Sequence, residues 1–309
     1  MAEFRPATAE QAAFLAELLE HGLFVESGVA GIYGRSSDFE RIRTAFDALV
    51  DRAATGEEAE LLRFPPLLPR QQLEASGFLK SFPHLAGAIV AFRGSEADAA
   101  ELQERAARHE DWSEFQTLTE LVLTPAACYP VYPAIAARGP VPGGGHSVDA
   151  GGAYSFRAEP SGDPARLQAF HQRELVRFDD PEGIAGWVDE WRDRGLELLQ
   201  RLGLEAKADI AADPFFGRGG RMLASSQREQ RLKFELLVEI AGPEPTAVAS
   251  FNNHQDHFTV TYGIEREGGG VAHTACLGFG HERIVLALLR RHGYDAAAWP
   301  DSVQQELWP

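Results

Sequence analysis

Five side chains at regular spacing could do chemistry together: Arg157, Glu159, Arg166, Phe170 and Glu174. Arg157 and Glu159 close an extended run expected at 154–159. Pro160, Ser161, Gly162, Asp163 and Pro164 then give a turn signal. A second extended run is expected over 166–178, with Arg166, Gln168, Phe170, Gln172 and Glu174 at every other position. As a strand it turns all five to one face. A cation, a flat ring, amides and a carboxylate suit a nucleotide such as ATP better than they suit a core. The competing reading of the spacing alone is a polar hairpin at a sheet edge.

A second stretch bears on that choice. Leu277-Gly278-Phe279-Gly280 leads into His281-Glu282-Arg283 and an apolar run closed by Gly293, which predicts a strand, a glycine turn and a helix with Arg283 in its first turn. A glycine turn into a helix is common by itself. Paired with Phe156-Arg157-Ala158-Glu159, a loop and Arg166…Phe170…Glu174, it is specific. Together they resemble motifs 2 and 3 of the class II aminoacyl-tRNA synthetases.

The elements that would carry these residues read as α+β. Residues 8–21 form a helical apolar face with a Thr8/Gln11 capping box, and Gly22 can end it. Residues 23–36 predict a short hairpin, and Phe39, Ile42, Phe46 and Leu49 share one face of a second helix. An extended stretch at 57–64 before Pro65-Pro66 loosely resembles motif 1, which lies at a dimer interface in that family. Residues 97–117 read as one or two exposed helices, 121–123 as a strand, and 181–203 as a helix. Strands are expected at 232–240, 247–253 and 257–264. Asp213-Pro214-Phe215-Phe216-Gly217 reads as a loop, and the glycine- and proline-rich stretch 139–152 marks no domain boundary. The expectation is one domain, 1–309, with an antiparallel sheet flanked by helices.

Composition sets bounds. The 309 residues carry 29 basic and 46 acidic side chains, a formal net charge of −17. That balance counts against a nucleic-acid partner, whose binding draws on basic patches. No apolar run is long enough to span a bilayer. The start, Met1-Ala2-Glu3-Phe4-Arg5-Pro6, shows no basic stretch leading into an apolar one, so cytoplasm is expected. Two cysteines, Cys128 and Cys276, make no disulfide framework, and from spacing alone they read as buried free thiols. His273 and His281 near Cys276 hint at a metal without establishing one.

Phrases such as Leu-Thr-Pro-Ala-Ala-Cys-Tyr-Pro around Cys128, Asp-Pro-Phe-Phe-Gly-Arg from Asp213 and His-Thr-Ala-Cys-Leu-Gly-Phe-Gly from His273 sharpen the likeness. The stretch before residue 156 resembles the front of a catalytic core, not a separate tRNA-binding domain. Nearly the whole chain therefore resembles the amino acid:[carrier protein] ligases, truncated homologues of the methanogenic-type seryl-tRNA synthetases. The resemblance implies activation of glycine or alanine with ATP and transfer to the phosphopantetheine thiol of a carrier protein. It implies ATP binding by Arg157, Glu159, Arg166, Phe170, Glu235, Asn253 and Arg283. Within that set Arg157 acts on the α-phosphate, Glu159 accepts from the adenine amino group, and Phe170 and Arg283 sandwich the base. Glu235, with Asn253, would hold Mg²⁺ accompanying ATP; without the resemblance Glu235 reads as a solvated strand carboxylate. Cys128, Glu174 and Cys276 match the ligands of an active-site zinc in the methanogenic-type synthetases, with the substrate amine expected as fourth ligand. Homodimerisation is implied as well. A synthetase acting on a minihelix or with a separate tRNA-binding partner, and a catalytically dead paralogue that regulates by binding, are the alternatives.

Overall fold

The computed structural model describes residues 4–152, 154–242 and 244–309. Met1–Glu3, the first half of the stretch read for a targeting signal, lie outside the described residues.

Helix α1 (Ala9–Glu20) opens with the expected capping box: Thr8 Oγ1 accepts from Gln11 N–H at 3.2 Å, and Gln11 Oε1 accepts from Thr8 N–H at 2.9 Å. Strands β1 (Phe24–Glu26) and β2 (Tyr33–Arg35) form the expected hairpin. Helix α2 (Ser37–Ala53) buries Phe39, Ile42, Phe46 and Leu49. After β3 (Glu60–Leu61), a three-stranded antiparallel sheet follows, of which the sequence announced only residues 121–123. It is built from β4 (Leu67–Pro69), β5 (Ala88–Phe92) and β6 (Gln116–Leu123), with α3 (Arg70–Ala75) and α4 (Phe78–Ser81) beside it. Helix α5 (Glu96–Ala107) joins β5 to β6 and buries no residue. The helical reading of 97–117 thus fails beyond Ala107, because the chain turns at His109 (φ 56°) into β6.

Helix α6 (Val131–Ala136) leads to β7 (His146–Asp149), a strand hidden inside the glycine-rich stretch. Strands β8 (Tyr154–Phe156) and β9 (Ala169–Asp179) are the hairpin that carries the first motif. Both are shorter at the turn than expected. Asp163 accepts from Ala165 and Arg166 N–H groups, holding this part of the chain as loop, so Arg166 and Gln168 precede the strand. Helix α7 (Pro181–Arg201), β10 (Lys207–Ile210), α8 (Gly217–Glu229), β11 (Lys233–Val238) and β12 (Thr246–Gln255) follow. Residues 257–264 are not a strand: α9 (His257–Tyr262) forms instead. The β-branched and aromatic residues there favour a strand locally, but Gln255 turns the chain (φ 53°) and Phe258 stacks on Tyr132 with ring centroids 3.9 Å apart. Strand β13 (His273–Gly280), α10 (His281–His292) and α11 (Asp301–Leu307) complete the chain.

Eight strands make the main sheet, in the order β10-β11-β12-β13-β9-β7-β3 with β8 also on β9. Every pairing is antiparallel except β3 with β7 at the edge. One face carries Leu175, Leu236, Phe251, Leu277 and Phe279 against α2, α7 and α10. The other face is covered beside Val176, Phe178 and Cys276 by α6 and α9. The rest of that second face is where the site lies.

Candidate active site

Strand register decides which side chains share the second face. Glu235 pairs with Ser250, Ser250 with Gly278, and Gly278 with Glu174. One step along, Lys233 pairs with Asn252, and Asn252 with Cys276. Directly opposed residues point the same way, so these form two adjacent rows on one surface. Gly278 keeps the floor open: a Cβ there would lie 3.2 Å from Glu174 Oε1. Asn253 pairs with Ala275 and is one residue out of step, so it belongs with Phe251 and Leu277 on the helix-covered face. Its Oδ1 accepts from Gln255 N–H at 2.9 Å. The pairing of Glu235 with Asn253 is thereby corrected: Asn252 is the asparagine on Glu235's face.

Cys128, Glu174 and Cys276 converge at one end of these rows, each offering a ligand atom within 4.8 Å of the others. All three are buried, and the thiols are not joined. Cys128 lies in the loop before α6, and its N–H donates to Glu174 Oε2. Asn252 Nδ2 and His254 Nε2 each lie 3.5 Å from Cys276 Sγ. Burial pushes the Glu174 carboxyl up to about 8, with the Cys276 sulfur adding to it. The neighbouring Cys128 sulfur holds Cys276 well below its ordinary value, while Cys128 itself is held above by Cys276 and by burial. Glu174 makes no ion pair among the described residues. Two thiols and a carboxylate gathered out of water, with no lysine or arginine in an ion pair with Glu174 among the described residues, are a donor set that fits zinc.

Cations crowd the other side. Arg283 donates through Nε to Ala165 O and through Nη1 to Ala247 O, both at 2.8 Å. Burial and the charges of Arg166 and Arg157 pull its pKa down to about 10. The Arg157 guanidinium lies over the Phe170 ring, 5.3 Å from its centroid, and its Nε donates to Pro125 O at 3.4 Å. Its charge reaches Glu174 and Asp213 as well. Arg166 Nη1 lies 3.4 Å from Glu159 Oε1, and Arg5 approaches the same carboxylate at 3.5 Å. The structure therefore brings Arg157, Glu159, Arg166, Phe170 and Arg283 together, and places Glu235 and the cysteine–glutamate trio on the adjoining floor.

Three residues of this surface escaped the sequence reading. Lys233 Nζ lies 2.6 Å from Asp213 Oδ1 and 3.0 Å from Glu235 Oε1. Burial opposes its charge, but Asp213 and Glu235 outweigh it and hold its pKa above the ordinary value. Asn252 is the third. The signal for Lys233 was present, since it sits two residues before Glu235 on the polar side of an alternating strand; Asp213 opens a phrase shared with the family, but nothing local ties that remote loop to Lys233.

No protein-family model matches the sequence. Individual proteins do. The chain is 43% identical over 304 residues to amino acid--[acyl-carrier-protein] ligase 1 of Bradyrhizobium diazoefficiens, across 98% of this chain and 92% of that protein. This chain belongs to that ligase family. A second ligase of the same name and organism, numbered 2, is 43% identical over 296 residues, across 94% of this chain and 88% of its own length. Membership makes the protein an enzyme of the ligase type. The seryl-tRNA synthetase of M. kandleri, solved in complex with an A. aeolicus tRNASec, matches with a TM-score of 0.78 at 21% identity, over 95% of this chain and 60% of that one. The fold of the ligase is accordingly that of a class II aminoacyl-tRNA synthetase core, although the chain spans only about three-fifths of that synthetase.

Proposed function

We propose that this ligase activates a small amino acid, glycine or alanine, as its adenylate and passes it to the phosphopantetheine thiol of a carrier protein. The observation that carries the reading is the adjacency of two unlike clusters: Arg157, Arg166 and Arg283 crowd one side, and the buried Cys128–Glu174–Cys276 trio lies beside them within reach of Arg157's charge. An amine bound at the trio leaves its own carboxylate on the open face, beside the arginines to which a triphosphate is drawn by charge.

In the first step a carboxylate oxygen attacks the α-phosphorus and the bond to pyrophosphate breaks. Arg157 leaves the Phe170 face to meet the α-phosphate and stabilise its growing charge. Adenine takes the vacated ring face, with Arg283 on its other side and Glu159 accepting from its amino group. Arg166 steadies Glu159 and adds positive charge near the phosphates. Glu235 and Asn252 would hold Mg²⁺ entering with ATP. Cys128, Glu174 and Cys276 would hold zinc, which would supply a Lewis-acid site for the unprotonated α-amine. In the second step the carrier thiol attacks the acyl carbon and AMP leaves. We read 1–309 as one catalytic unit that works as a cytoplasmic homodimer. The acidic balance of −17 disfavours tRNA as acceptor.

The test is acceptor choice. With ATP and radiolabelled glycine or alanine, label should reach a phosphopantetheinylated carrier protein and neither its unmodified form nor total tRNA. Label on tRNA with none on the carrier would overturn the reading.

A further inference from the structure

Lys233 is a buried cation of β11, on the open face, that the proposed mechanism leaves without a task. It stands in the cross-strand row that runs through Asn252 to Cys276, so its backbone lies two strand spacings, about 10 Å, from that ligand. Its side chain is 9% exposed. The ammonium is aimed as well as buried. Asp213, 2.6 Å away, is itself fixed by a reciprocal pair with Gln227: Gln227 Nε2 donates to Asp213 Oδ2 at 2.9 Å, and Asp213 N–H donates to Gln227 Oε1 at 2.7 Å.

A purely structural lysine would be satisfied by Asp213 and Glu235. That balance cannot persist through the reaction read above. Once Mg²⁺ with ATP occupies Glu235, a divalent cation and an ammonium compete for one carboxylate, and Lys233 keeps only Asp213. In the same step two anions meet on the open face, the α-phosphate and the amino acid's carboxylate. Arg157 serves the phosphate. Lys233 stands in the row that ends at Cys276, and a lysine stem of four carbons lets the ammonium swing from Glu235 while Asp213 keeps it in place.

We propose that Lys233 is a substrate-binding residue of the activation step, whose ammonium moves off Glu235 to take the carboxylate of the amino acid held by its amine at the Cys276 end of the row. The inference rests on the adenylate reading. It separates the two ends of the substrate: the trio recognises the amine, and Lys233 the carboxylate.

The test uses the full chain as purified with its metal, Lys233→Met, and Lys233→Met combined with Asp213→Asn, which removes the acid stranded by loss of the lysine. In ATP–pyrophosphate exchange the KM for the amino acid should rise roughly ten- to hundredfold, the worth of a charged hydrogen bond, with the KM for ATP and the zinc content unchanged. A non-hydrolysable aminoacyl-sulfamoyl adenosine, which has no free carboxylate, should bind wild type and both variants within about threefold, as expected for a lost neutral contact. An amino-acid KM left at the wild-type value would overturn the proposal. So would parallel loss of analogue affinity in both variants, which marks a structural lysine. Absence of exchange in the wild type with every amino acid would instead sink the adenylate reading.

Discussion

Two arginine clusters lie on opposite faces of the same sheet, and they are built to opposite rules. On the helix-covered face Arg173, whose side chain is 3% exposed, meets three acids: Asp47 at 2.9 Å, Asp149 at 2.6 Å and Asp51 at 2.5 Å. Burial works against its charge, yet those acids hold its pKa above the ordinary value. On the open face Arg157, Arg166 and Arg283 crowd one another, and Arg283 is pulled down to about 10 by burial and by its like-charged neighbours. Balanced charge is what a fold needs for itself. Like charge only partly balanced, with Arg157 and Arg283 held by backbone carbonyls and Arg166 by Glu159, is the arrangement that suits an anion arriving later. On strand β9 the two faces are one residue apart: Arg173 is next in sequence to Glu174 and points the other way.

If that contrast is right, the two clusters break differently. The largest effect on stability belongs to Arg173→Met. It removes the buried cation that Asp47 and Asp149 share, leaving them His281 and Arg63, and should cost on the order of 3 kcal/mol in denaturant unfolding. Arg157→Ala should leave the unfolding midpoint near wild type but slow pyrophosphate exchange about a hundred- to a thousandfold, as loss of one preorganised contact to developing charge does. Exchange within tenfold of wild type would remove Arg157 from the chemistry. Cys276→Ser, or chelation of the wild type, should lower amino-acid-dependent activation by roughly tenfold or more while ATP binding persists, because the phosphate and base contacts lie on other residues. Elemental analysis finding no zinc in protein purified without chelator would contradict this.

The smallest effect is in acid. Burial would raise Asp47's carboxyl, but the His281 hydrogen bond and charge, with Arg173, outweigh it and hold it well below the usual carboxylate range. A depressed folded-state pKa adds stability above the unfolded value, near pH 4, and loses it as pH falls toward the folded one. Stability of the wild type should therefore fall below about pH 4 more steeply than that of Arg173→Met, in which Asp47 lacks one of its partners. Equal slopes would show that Asp47 is not linked to Arg173.

Much of this was legible in the sequence because it is local. A helix face such as Phe39, Ile42, Phe46 and Leu49, or the Thr8 capping box, is fixed by spacing alone. The motif residues were singled out through their resemblance to a known family, and the meeting of Cys128, Glu174 and Cys276 because two cysteines and one glutamate fell at that family's positions. What stayed hidden depends on register or on distant chain. Asn252 and Asn253 differ by one step of alternation, and only pairing with Cys276 and Ala275 decides between them. Asp213 reaches Lys233 from across a loop and a helix. Strand β7 lies among glycines that read as loop, and α9 among residues that favour a strand until Phe258 stacks on Tyr132.

The central claim is that the open face activates a small amino acid as an adenylate. ATP–pyrophosphate exchange measured with each of the twenty amino acids tests it most directly. Exchange should be driven by glycine or alanine and abolished by Arg157→Ala. Exchange driven by large side chains alone, or by none of the twenty, would contradict it.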